Sequence, residues 1–430
     1  MGKHRRSEIR RKEAGLLREE KPRKSVIEVV IGARESLFEL GIDTGLQVLQ
    51  ALLEEDRTEI CGPKGTHDPS RGAYRGGHDE GTLVLAGRKV RVKKPRVHEK
   101  GGRERRLPAW EQYSQEDPLA DRMVEQMILG VSTRKYDRSL ESLPDEVETL
   151  GTSKSEVSRT FVARTETQLA EFLQRPLDGL VLPVVMLDGL HVDDHVLLVA
   201  LGIDREGYKH VLGLWEGTTE SEEVCRSLLS ELVGRGLPVE QARLFVIDGG
   251  KGLRKAIRTV FGAWALIARC RVHKIRNVVE HMPKGKQTWV RAQMRRAFKS
   301  SSAEDAKRRL LELAASLEDS HPGAASSVRE GLDETLTILR LKVGPLLTAT
   351  LSSTNPIENL NGSVRNVTRR VKRWRGGKMA MRWAAGALLE AEGKFRRVKG
   401  YREMPGLLSS LKALCSSPQN NTIDLAQRVA

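Results

Sequence analysis

The sequence predicts an α/β core that is interrupted by an all-helical segment and preceded by a smaller region of helices and one β-hairpin. After residue 180, short apolar runs that end at acidic or turn residues alternate with helical patterns, as in a sheet domain covered by helices. Between about 274 and 348 the only periodicity is helical. Before residue 180, two short apolar segments flank Ala86-Gly87-Arg88, which is the pattern of a hairpin.

Composition narrows the classes of function. The 430 residues carry 73 Lys and Arg against 57 Asp and Glu, and this net charge of +16 favours a polyanionic partner such as DNA. The longest apolar run, Val260 to Ala268, is nine residues, whereas a membrane span needs roughly 20. The charged first residues lack the apolar core of a signal peptide, so we expect a cytoplasmic, nucleoid-associated protein with no membrane partner.

Four isolated cysteines argue against both a disulfide framework and a four-cysteine zinc site. None of them forms a Cys-x-x-Cys pair. We therefore expect reduced thiols.

Residues 1–60 are predicted to form a basic N-terminal arm followed by helices. The first 28 residues contain ten Lys and Arg but five Asp and Glu, so the arm is either a helix that lies on DNA or a disordered segment. From Val26 to Leu53, apolar residues recur at helical spacing except at Gly41-Ile42-Asp43. This predicts two short amphipathic helices.

Residues 61–116 are predicted to form a basic β-hairpin region. Residues 61–81 are rich in glycine and favour turns, and strands follow at 82–85 and 89–92. Residues 88–106 hold ten basic and two acidic side chains. The hairpin is thus either a DNA-backbone contact or a solvated edge strand that its lysines protect from aggregation. The candidate DNA contacts are Arg88, Lys89, Arg91, Lys93 and Lys94.

Residues 117–178 contain three helical patterns, Asp117 to Leu129, Ser132 to Leu143 and Ser153 to Phe172. The third is predicted to expose Lys154, Arg159 and Arg164. Such a set resembles a helix-turn-helix DNA-binding domain, although any small helical bundle gives a similar pattern.

Residues 179–273 are predicted to form the first part of the core. Strand patterns at 181–188, 196–204 and 209–215 are followed by helix 221–232, strand 243–248, helix 252–261 and strand 265–270. This order is that of an RNase H-like fold. We assign 274–348 to the helical insertion, 349–400 to the last part of the core and 401–430 to a C-terminal tail that is rich in Ser and Asn near its end.

Two aspartates occupy equivalent positions in the predicted strands. Asp188 and Asp248 each come directly after an apolar strand and directly before a glycine, which allows a substrate to approach closely. The third candidate is Glu358. It is either an ordinary third residue of a helix with Asn355 as N-cap and Pro356 in first position, or a catalytic carboxylate.

A row of cations after Glu358 favours the catalytic interpretation. Arg365, Arg369 and Lys372 share one face if the helix continues, with Arg373 beside them as a further DNA contact. Carboxylates beside a phosphate backbone suit phosphodiester attack assisted by two Mg²⁺ or Mn²⁺ ions, because these hard cations prefer carboxylate oxygen. We expect Asp188 to bridge both ions, with Asp248 and Glu358 holding one each.

Four segments together resemble the Mutator-type transposases of prokaryotic insertion sequences, which are DDE enzymes. The segments, in the order of that family, are LDGLHV at 187–192, VIDG at 246–249, RCRVHKIRN at 269–277 and STNPIEN at 353–359. The resemblance implies a catalytic triad of Asp188, Asp248 and Glu358, an RNase H-like core and binding to the terminal inverted repeats of a mobile element. It also implies a role for a Cys-x-x-His signature, here Cys270 and His273.

The roles of Cys270 and His273 stay open at this point. They are an incomplete zinc site, because no second pair lies at finger spacing, or a packed cysteine with a histidine near the substrate strand. Trp374 lies between cations, so it is either a packing residue or a platform on which an unpaired base stacks.

The predicted function is that of a DNA transposase that cuts the element's ends and joins them to target DNA. Holding two ends and a target together implies a homodimer or a higher oligomer on DNA. The alternatives are a transposase-derived protein that binds specific DNA without catalysis, and an RNase H-like nuclease.

Overall fold

The computed structural model describes residues 26–66, 68–85, 88–115, 120–133, 135–136, 149–150, 153–217 and 221–415. The chain divides into two compact units, one of Met1–Met123 with Ser132–Ser158 and one of Val124–Val131 with Arg159–Ala430. Among the described residues, no helix is long and apolar enough to cross a membrane.

The first unit packs one long helix against an antiparallel sheet. Its elements are α1 (Val26–Cys61), β1 (Ala73–Leu85), β2 (Arg88–Glu99), β3 (Glu104–Arg105), α2 (Pro108–Gln115) and β4 (Thr149–Leu150). Strand β2 pairs with β1, β3 and β4, all antiparallel. The shared core joins Leu49 and Leu53 of α1 to Leu83 of β1 and Val90 of β2.

The structure corrects two predictions in this unit. Helix α1 is continuous through Gly41-Ile42-Asp43, so the predicted pair of helices is wrong; an interior glycine costs a helix only about 1 kcal/mol relative to alanine. The glycine-rich stretch after residue 72 is part of strand β1, with a register shift between Arg75 and His78. The hairpin is confirmed, but its first strand is longer than expected because β2 offers twelve residues for pairing.

Gly81 shows why glycine is found inside this strand. A Cβ atom at Gly81 would overlap the ring of Trp110, which packs from helix α2. The missing side chain is therefore a packing requirement.

The predicted three-helix pattern is found in part. Helix α3 (Ala120–Leu129) and helix α4 (Lys154–Gln174) correspond to the first and third patterns. Described residues at the start of the second pattern, Thr133, Lys135 and Tyr136, form a turn, so this part of the helix prediction is wrong. Residues 137–143 lie outside the described chain, and the helix-turn-helix stays a prediction.

The second unit is built on a five-stranded sheet. Its strands and the helices between them are β5 (Val184–Val192), β6 (His195–Ile203), β7 (Lys209–Gly217), α5 (Glu222–Gly234), β8 (Arg243–Ile247), α6 (Lys251–Phe261) and β9 (Ala265–Arg269). The spatial order is β7-β6-β5-β8-β9. Strands β5, β6 and β7 pair antiparallel, whereas β8 is parallel to both β5 and β9.

Helices cover both faces of this sheet. One face packs on α5 and α6 through residues such as Leu228, Leu253 and Phe261. The other face packs on helices from the C-terminal part of the chain, through residues such as Ile357 and Leu360. Alternate residues of the central strands enter the two cores, as the twofold periodicity of a strand requires.

Residues 271–351 are helical apart from short connections. The helices are α7 (Arg271–Glu280), α8 (Lys284–Ala297), α9 (Ala303–Leu317), α10 (Pro322–Arg329), α11 (Leu332–Thr335), α12 (Thr337–Arg340) and α13 (Pro345–Leu351). The helical character predicted for 274–348 is therefore found. Most of these helices share a core of their own, which includes Val290, Met294, Leu310 and Leu317.

The chain returns to the sheet with helices α14 (Asn355–Thr368), α15 (Gly377–Glu392) and α16 (Met404–Cys415). The last helix packs on the sheet through Leu407 and Leu411, so residues up to Cys415 are not a loose tail. The Ser/Asn-rich segment that follows lies outside the described residues.

Candidate active site

Asp188 and Asp248 stand at the same level on neighbouring strands. Strand β5 is paired with β8 in a register that joins Met186 to Val246, and two residues further this register reaches the two aspartates. Neighbouring strands lie about 4.8 Å apart, so the two carboxylates emerge side by side. Both side chains are intermediate in exposure.

Asp188 does not end its strand, so that part of the prediction is wrong. Strand β5 continues through Asp188 and Gly189 to Val192, because Leu190 and Val192 supply further buried side chains on the same face. The strand then turns into β6 at Asp193, whose φ of 54° marks a tight turn. Asp248 does follow its strand directly.

Helix α14 covers the face of the sheet from which Asp188 projects. Met186 on this face and Ile357, Leu360 and Val364 on α14 belong to one core. Asn361 is fully buried in the same helix, and its Nδ2 donates a hydrogen bond of 2.8 Å to Oδ2 of Asp188. The helix that carries Glu358 is thereby fixed next to Asp188.

The helix that carries Glu358 begins one residue earlier than predicted. The N-cap is Thr354 rather than Asn355, and Pro356 occupies one of the first two helical positions. The Thr354 side chain does not cap the backbone. Its hydroxyl donates instead to Oε1 of Glu358, and so orients the carboxylate.

His273 completes a short chain of polar contacts. Its Nδ1 lies 3.3 Å from the Thr354 hydroxyl oxygen and 3.8 Å from Oε1 of Glu358. Because the hydroxyl proton is donated to Glu358, the hydroxyl oxygen accepts a hydrogen bond from Nδ1. Nδ1 is therefore the protonated nitrogen in this arrangement.

Electrostatics links His273 to two of the candidate carboxylates. A hydrogen bond with Cys270 raises the pKa of His273, and the negative charges of Glu358 and Asp248 raise it further, whereas burial lowers it. The imidazole lies beside Glu358, and the charge of Asp248 acts on it as well. Asn361 thus joins the helix of Glu358 to Asp188, and His273 lies beside Glu358.

Cys270 is fully buried at the end of β9, one step along the sheet from Asp248. Burial raises the pKa of its thiol, but hydrogen bonds from His273 and Thr354 outweigh this effect, so the pKa lies below its ordinary value. The Thr354 amide donates to the sulfur at 3.4 Å. One donor atom each from Cys270, His273 and Glu358 lies within 4.8 Å of the others.

The donor chemistry of this end of the sheet fits hard divalent cations. Asp188, Asp248 and Glu358 offer carboxylate oxygens, which Mg²⁺ and Mn²⁺ prefer. The Oδ1 of Asn361 is buried and has no hydrogen-bond partner among the described residues. The Gly250 amide donates to Oδ1 of Asp248 at 2.8 Å and fixes that carboxylate.

The predicted basic residues after Glu358 do not form one helical row. Helix α14 ends at Thr368, so Arg365 lies on the helix, Arg369 is its C-cap, and Lys372 and Arg373 lie on the following irregular segment. The prediction of a shared helical face is wrong for Lys372, which lies beyond the end of the helix. All four side chains are exposed nonetheless. Trp374, which follows Arg373 directly, is half-buried and packs against the core.

The other predicted DNA contacts lie on the hairpin and on α4. Arg91 and Lys93 are exposed, and Arg91 lies 3.5 Å from Glu80. Lys94 lies over the ring of Trp110 at 5.4 Å. Lys89 is half-buried. The side chain of Arg88 lies outside the described part of the chain.

On helix α4, Lys154 and Arg159 are both exposed, as the prediction required of residues that reach DNA, whereas Arg164 is half-buried, so its predicted exposure is wrong.

Sequence reasoning missed Asn361 and Thr354. Asn361 follows Glu358 by three residues, so both lie on one helical face, and this spacing was the available signal. Thr354 precedes Glu358 by four residues and was hidden by the stronger N-cap preference of Asn355.

Comparison with known proteins identifies related sequences. Residues 35–397 match the family described as "Transposase, Mutator family". The transposase for insertion sequence element ISRM5 of Rhizobium meliloti is 28% identical over 84% of this chain and 89% of its own length. The transposase for insertion sequence element IS256 in transposon Tn4001 of Staphylococcus aureus is 29% identical over 74% and 81%.

A third relative, the transposase for insertion sequence element IS406 of Burkholderia multivorans, is 27% identical over 86% of this chain and 96% of its own length. The match to the family covers most of the chain. This chain therefore belongs to the Mutator family of transposases.

Proposed function

We propose that this protein is the DNA transposase of an insertion sequence, and that it uses Asp188, Asp248 and Glu358 to cut the ends of its element and to join them to target DNA. The observation that carries the proposal is the hydrogen bond from Asn361 to Asp188, because helix α14, which contains Asn361, also carries Glu358. The register of β5 and β8 continues to Asp188 and Asp248, so the three proposed ligands come from two neighbouring strands and one helix that packs on them.

The architecture supports an RNase H-like catalytic core. Three antiparallel strands are followed by two parallel strands that lie on the other side of β5, with helices on both faces. Asp188 lies on the central strand of this order, and Asp248 follows its parallel neighbour. This arrangement is the one expected of a core that holds two metal ions between strands and a final helix.

Each residue contributes a distinct action. Asp188 and Asp248 present oxygens toward the phosphodiester, and Asn361 holds the Asp188 carboxylate in one orientation. Thr354 orients Glu358 through its hydroxyl. Two Mg²⁺ or Mn²⁺ ions, if bound by these carboxylates, would activate the attacking oxygen and stabilise the leaving oxygen.

The charge of the chain supports DNA as the substrate. The sequence carries a net charge of +16. Exposed cations lie in the last turn of helix α14 and on the segment that follows it. Lys and Arg on such a surface bind phosphates independently of base sequence. The hairpin and helix α4 are then available to recognise the terminal inverted repeats.

Two further features belong to the proposal. Joining two ends to one target requires that both ends and the target be held together, so we propose a homodimer or higher oligomer on DNA. Nucleoid association in the cytoplasm follows from the same affinity for DNA.

A strand-transfer assay tests the proposal. The full chain is incubated with labelled terminal repeats, Mg²⁺ and a plasmid target, beside the variants Asp188→Asn, Asp248→Asn and Glu358→Gln. We expect joined products from the intact protein only, and no products from it in EDTA, with binding of the repeats retained by all three variants.

Asp194→Asn is the matched control, because Asp194 is an exposed acidic residue on the turn between β5 and β6. It should leave joining unchanged. Nicked DNA without joined products would instead indicate a nuclease, and a band shift without either would indicate a DNA-binding protein that lacks catalysis.

A further inference from the structure

We propose that an open depression in the helical segment, bordered by Trp289, binds an unpaired nucleotide of the DNA substrate. The inference rests on the proposed function, because it takes DNA as the ligand. The depression has a volume of about 360 Å³, which lies within the range of sites for small ligands. Its lining residues are Met282, Gly285, Lys286, Trp289, Ser316, Leu317, Ser320 and His321.

Trp289 is the first reason for the assignment. Its side chain is 49% exposed although it lies on a well-packed helix, and its neighbours Val290 and Met294 are fully buried. Helix packing therefore does not need the indole ring. An exposed indole beside a depression offers a flat surface on which a base can stack, and such stacking tolerates any base.

The composition of the depression fits the two parts of a nucleotide. The buried side chains of Met282 and Leu317 supply apolar surface. Ser316, Ser320 and His321 supply polar groups for the edge of a base, and Nδ1 of His321 already lies 2.7 Å from the Ser320 hydroxyl. Lys286 adds a positive charge that suits the phosphate.

The charge of helix α8 selects nucleic acid over a protein partner. The helix carries five basic residues and no acidic one, and every one of these cations is exposed. They are Lys284, Lys286, Arg291, Arg295 and Arg296. The acidic residues nearest in sequence to the depression are Glu318, which pairs with Arg329, and Asp319, which does not line it.

An unpaired nucleotide suits the depression better than duplex DNA. A base inside a duplex is stacked on both faces and cannot stack on an indole ring until it leaves the helix. The depression is therefore a site for a nucleotide that has left the duplex.

The test compares single-stranded and duplex DNA. Fluorescence anisotropy measures the affinity of the full chain for a labelled oligothymidylate and for a labelled terminal-repeat duplex, in EDTA so that no cleavage takes place. We expect Trp289→Ala to weaken oligothymidylate binding about 5- to 150-fold, the loss of one stacked base, and to leave duplex binding unchanged. Trp289→Phe keeps an aromatic ring and should retain most of the affinity.

Trp264→Ala is the matched control. Trp264 is 40% exposed, comparable to Trp289, but it lies in the turn before β9 and does not line the depression. It should leave both affinities unchanged. Thermal unfolding of each variant checks that the fold is intact.

The other outcomes contradict the inference. Unchanged binding of oligothymidylate by Trp289→Ala removes the nucleotide site, and equal losses for single strand and duplex show that the residue contacts paired DNA. Loss of self-association in sedimentation, without a change in single-strand affinity, shows that a second copy of the chain occupies the depression. Failure of the intact protein to bind either DNA would contradict the proposed function itself, whereas intact duplex binding limits the failure to this inference.

Discussion

Asn361 on helix α14 donates a hydrogen bond of 2.8 Å to the Asp188 carboxylate on strand β5. Asn361 is fully buried, and Glu358 lies one helical turn before it. The same helix therefore carries one proposed metal ligand and the group that orients another. A displacement of α14 changes the position of Glu358 and the orientation of Asp188 together.

Asn361→Ala should therefore impair catalysis without removing any proposed ligand. Losing a residue that orients a ligand typically costs about 10- to 100-fold in metal affinity or activity. We expect a cleavage rate lowered by this factor and a higher Mg²⁺ concentration at half-maximal rate. Asn359→Ala, an exposed neighbour on the same helix, is the control. An unchanged Mg²⁺ dependence would show that Asn361 contributes packing alone.

Thr354 should act through its hydroxyl. Thr354→Val keeps the shape of the side chain but removes the donor to Glu358 and the acceptor for His273. A hydrogen bond to a charged group such as the Glu358 carboxylate contributes about 1.5–3 kcal/mol, so we expect roughly 10- to 150-fold slower cleavage. Thr354→Ser restores the hydroxyl and should recover most of the rate. Equal rates for both variants would exclude this role.

Asp188 is expected to contact both metal ions. Isothermal titration of Mn²⁺ into the intact protein and into Asp188→Asn checks this expectation. A bridging carboxylate contributes to both sites, so its neutral amide should reduce the number of bound ions and not only their affinity. Asp193→Asn on the adjacent turn serves as the control. The same stoichiometry in Asp188→Asn as in the intact protein would contradict the bridging role.

The sequence pattern predicts the order of strands and helices in the sheet domain, because each buried strand there is a separate apolar run with a turn after it. It misplaced the end of β5, because Leu190 and Val192 extend the strand through an aspartate and a glycine that resemble a strand end. The face shared by Arg365 and Lys372 depended on a helix that ends at Thr368.

The site residues that were missed act through long-range contacts. Asn361 meets Asp188 across 173 positions of the chain, and Thr354 meets His273 across 81. Local spacing alone does not predict which buried polar group finds which partner. The open depression beside Trp289 likewise depends on the packing of α8 against α9. The cations around Trp374 instead suggested a base-stacking platform, but that tryptophan is half-buried and packs against the core.

The close contact between Gly81 and Trp110 predicts how a substitution changes the stability of the first unit. A methyl group there overlaps the Trp110 ring, so Gly81→Ala should destabilise the first unit by about 1–3 kcal/mol, the usual cost of overpacking. Urea unfolding followed by tryptophan fluorescence measures the change. Gly77→Ala is the control, since a Cβ atom at Gly77 meets nothing within 4 Å. If the double variant Gly81→Ala with Trp110→Ala is no less stable than Trp110→Ala alone, the overlap with the ring is the cause.

The basic residues after the carboxylate site and those on helix α4 should differ in how they affect specificity. Replacing Arg365 and Arg369 by Ala should weaken binding of terminal repeats and of random duplex DNA alike, because phosphate contacts carry no sequence information. Replacing Lys154 and Arg159 should weaken binding of terminal repeats selectively, if helix α4 reads the repeat. Competition band shifts with both DNAs give the two ratios.

Salt dependence separates phosphate contacts from a general loss of charge. Each lost phosphate contact reduces the slope of log K against log salt by about 0.9 on duplex DNA. The double replacement of Arg365 and Arg369 should therefore flatten the slope, whereas Lys399→Ala with Lys412→Ala, two exposed cations outside the proposed surface, should not. If both pairs of replacements flattened the salt slope equally, net charge alone would govern binding. A defined DNA surface instead requires that only the cations that touch phosphates change the slope.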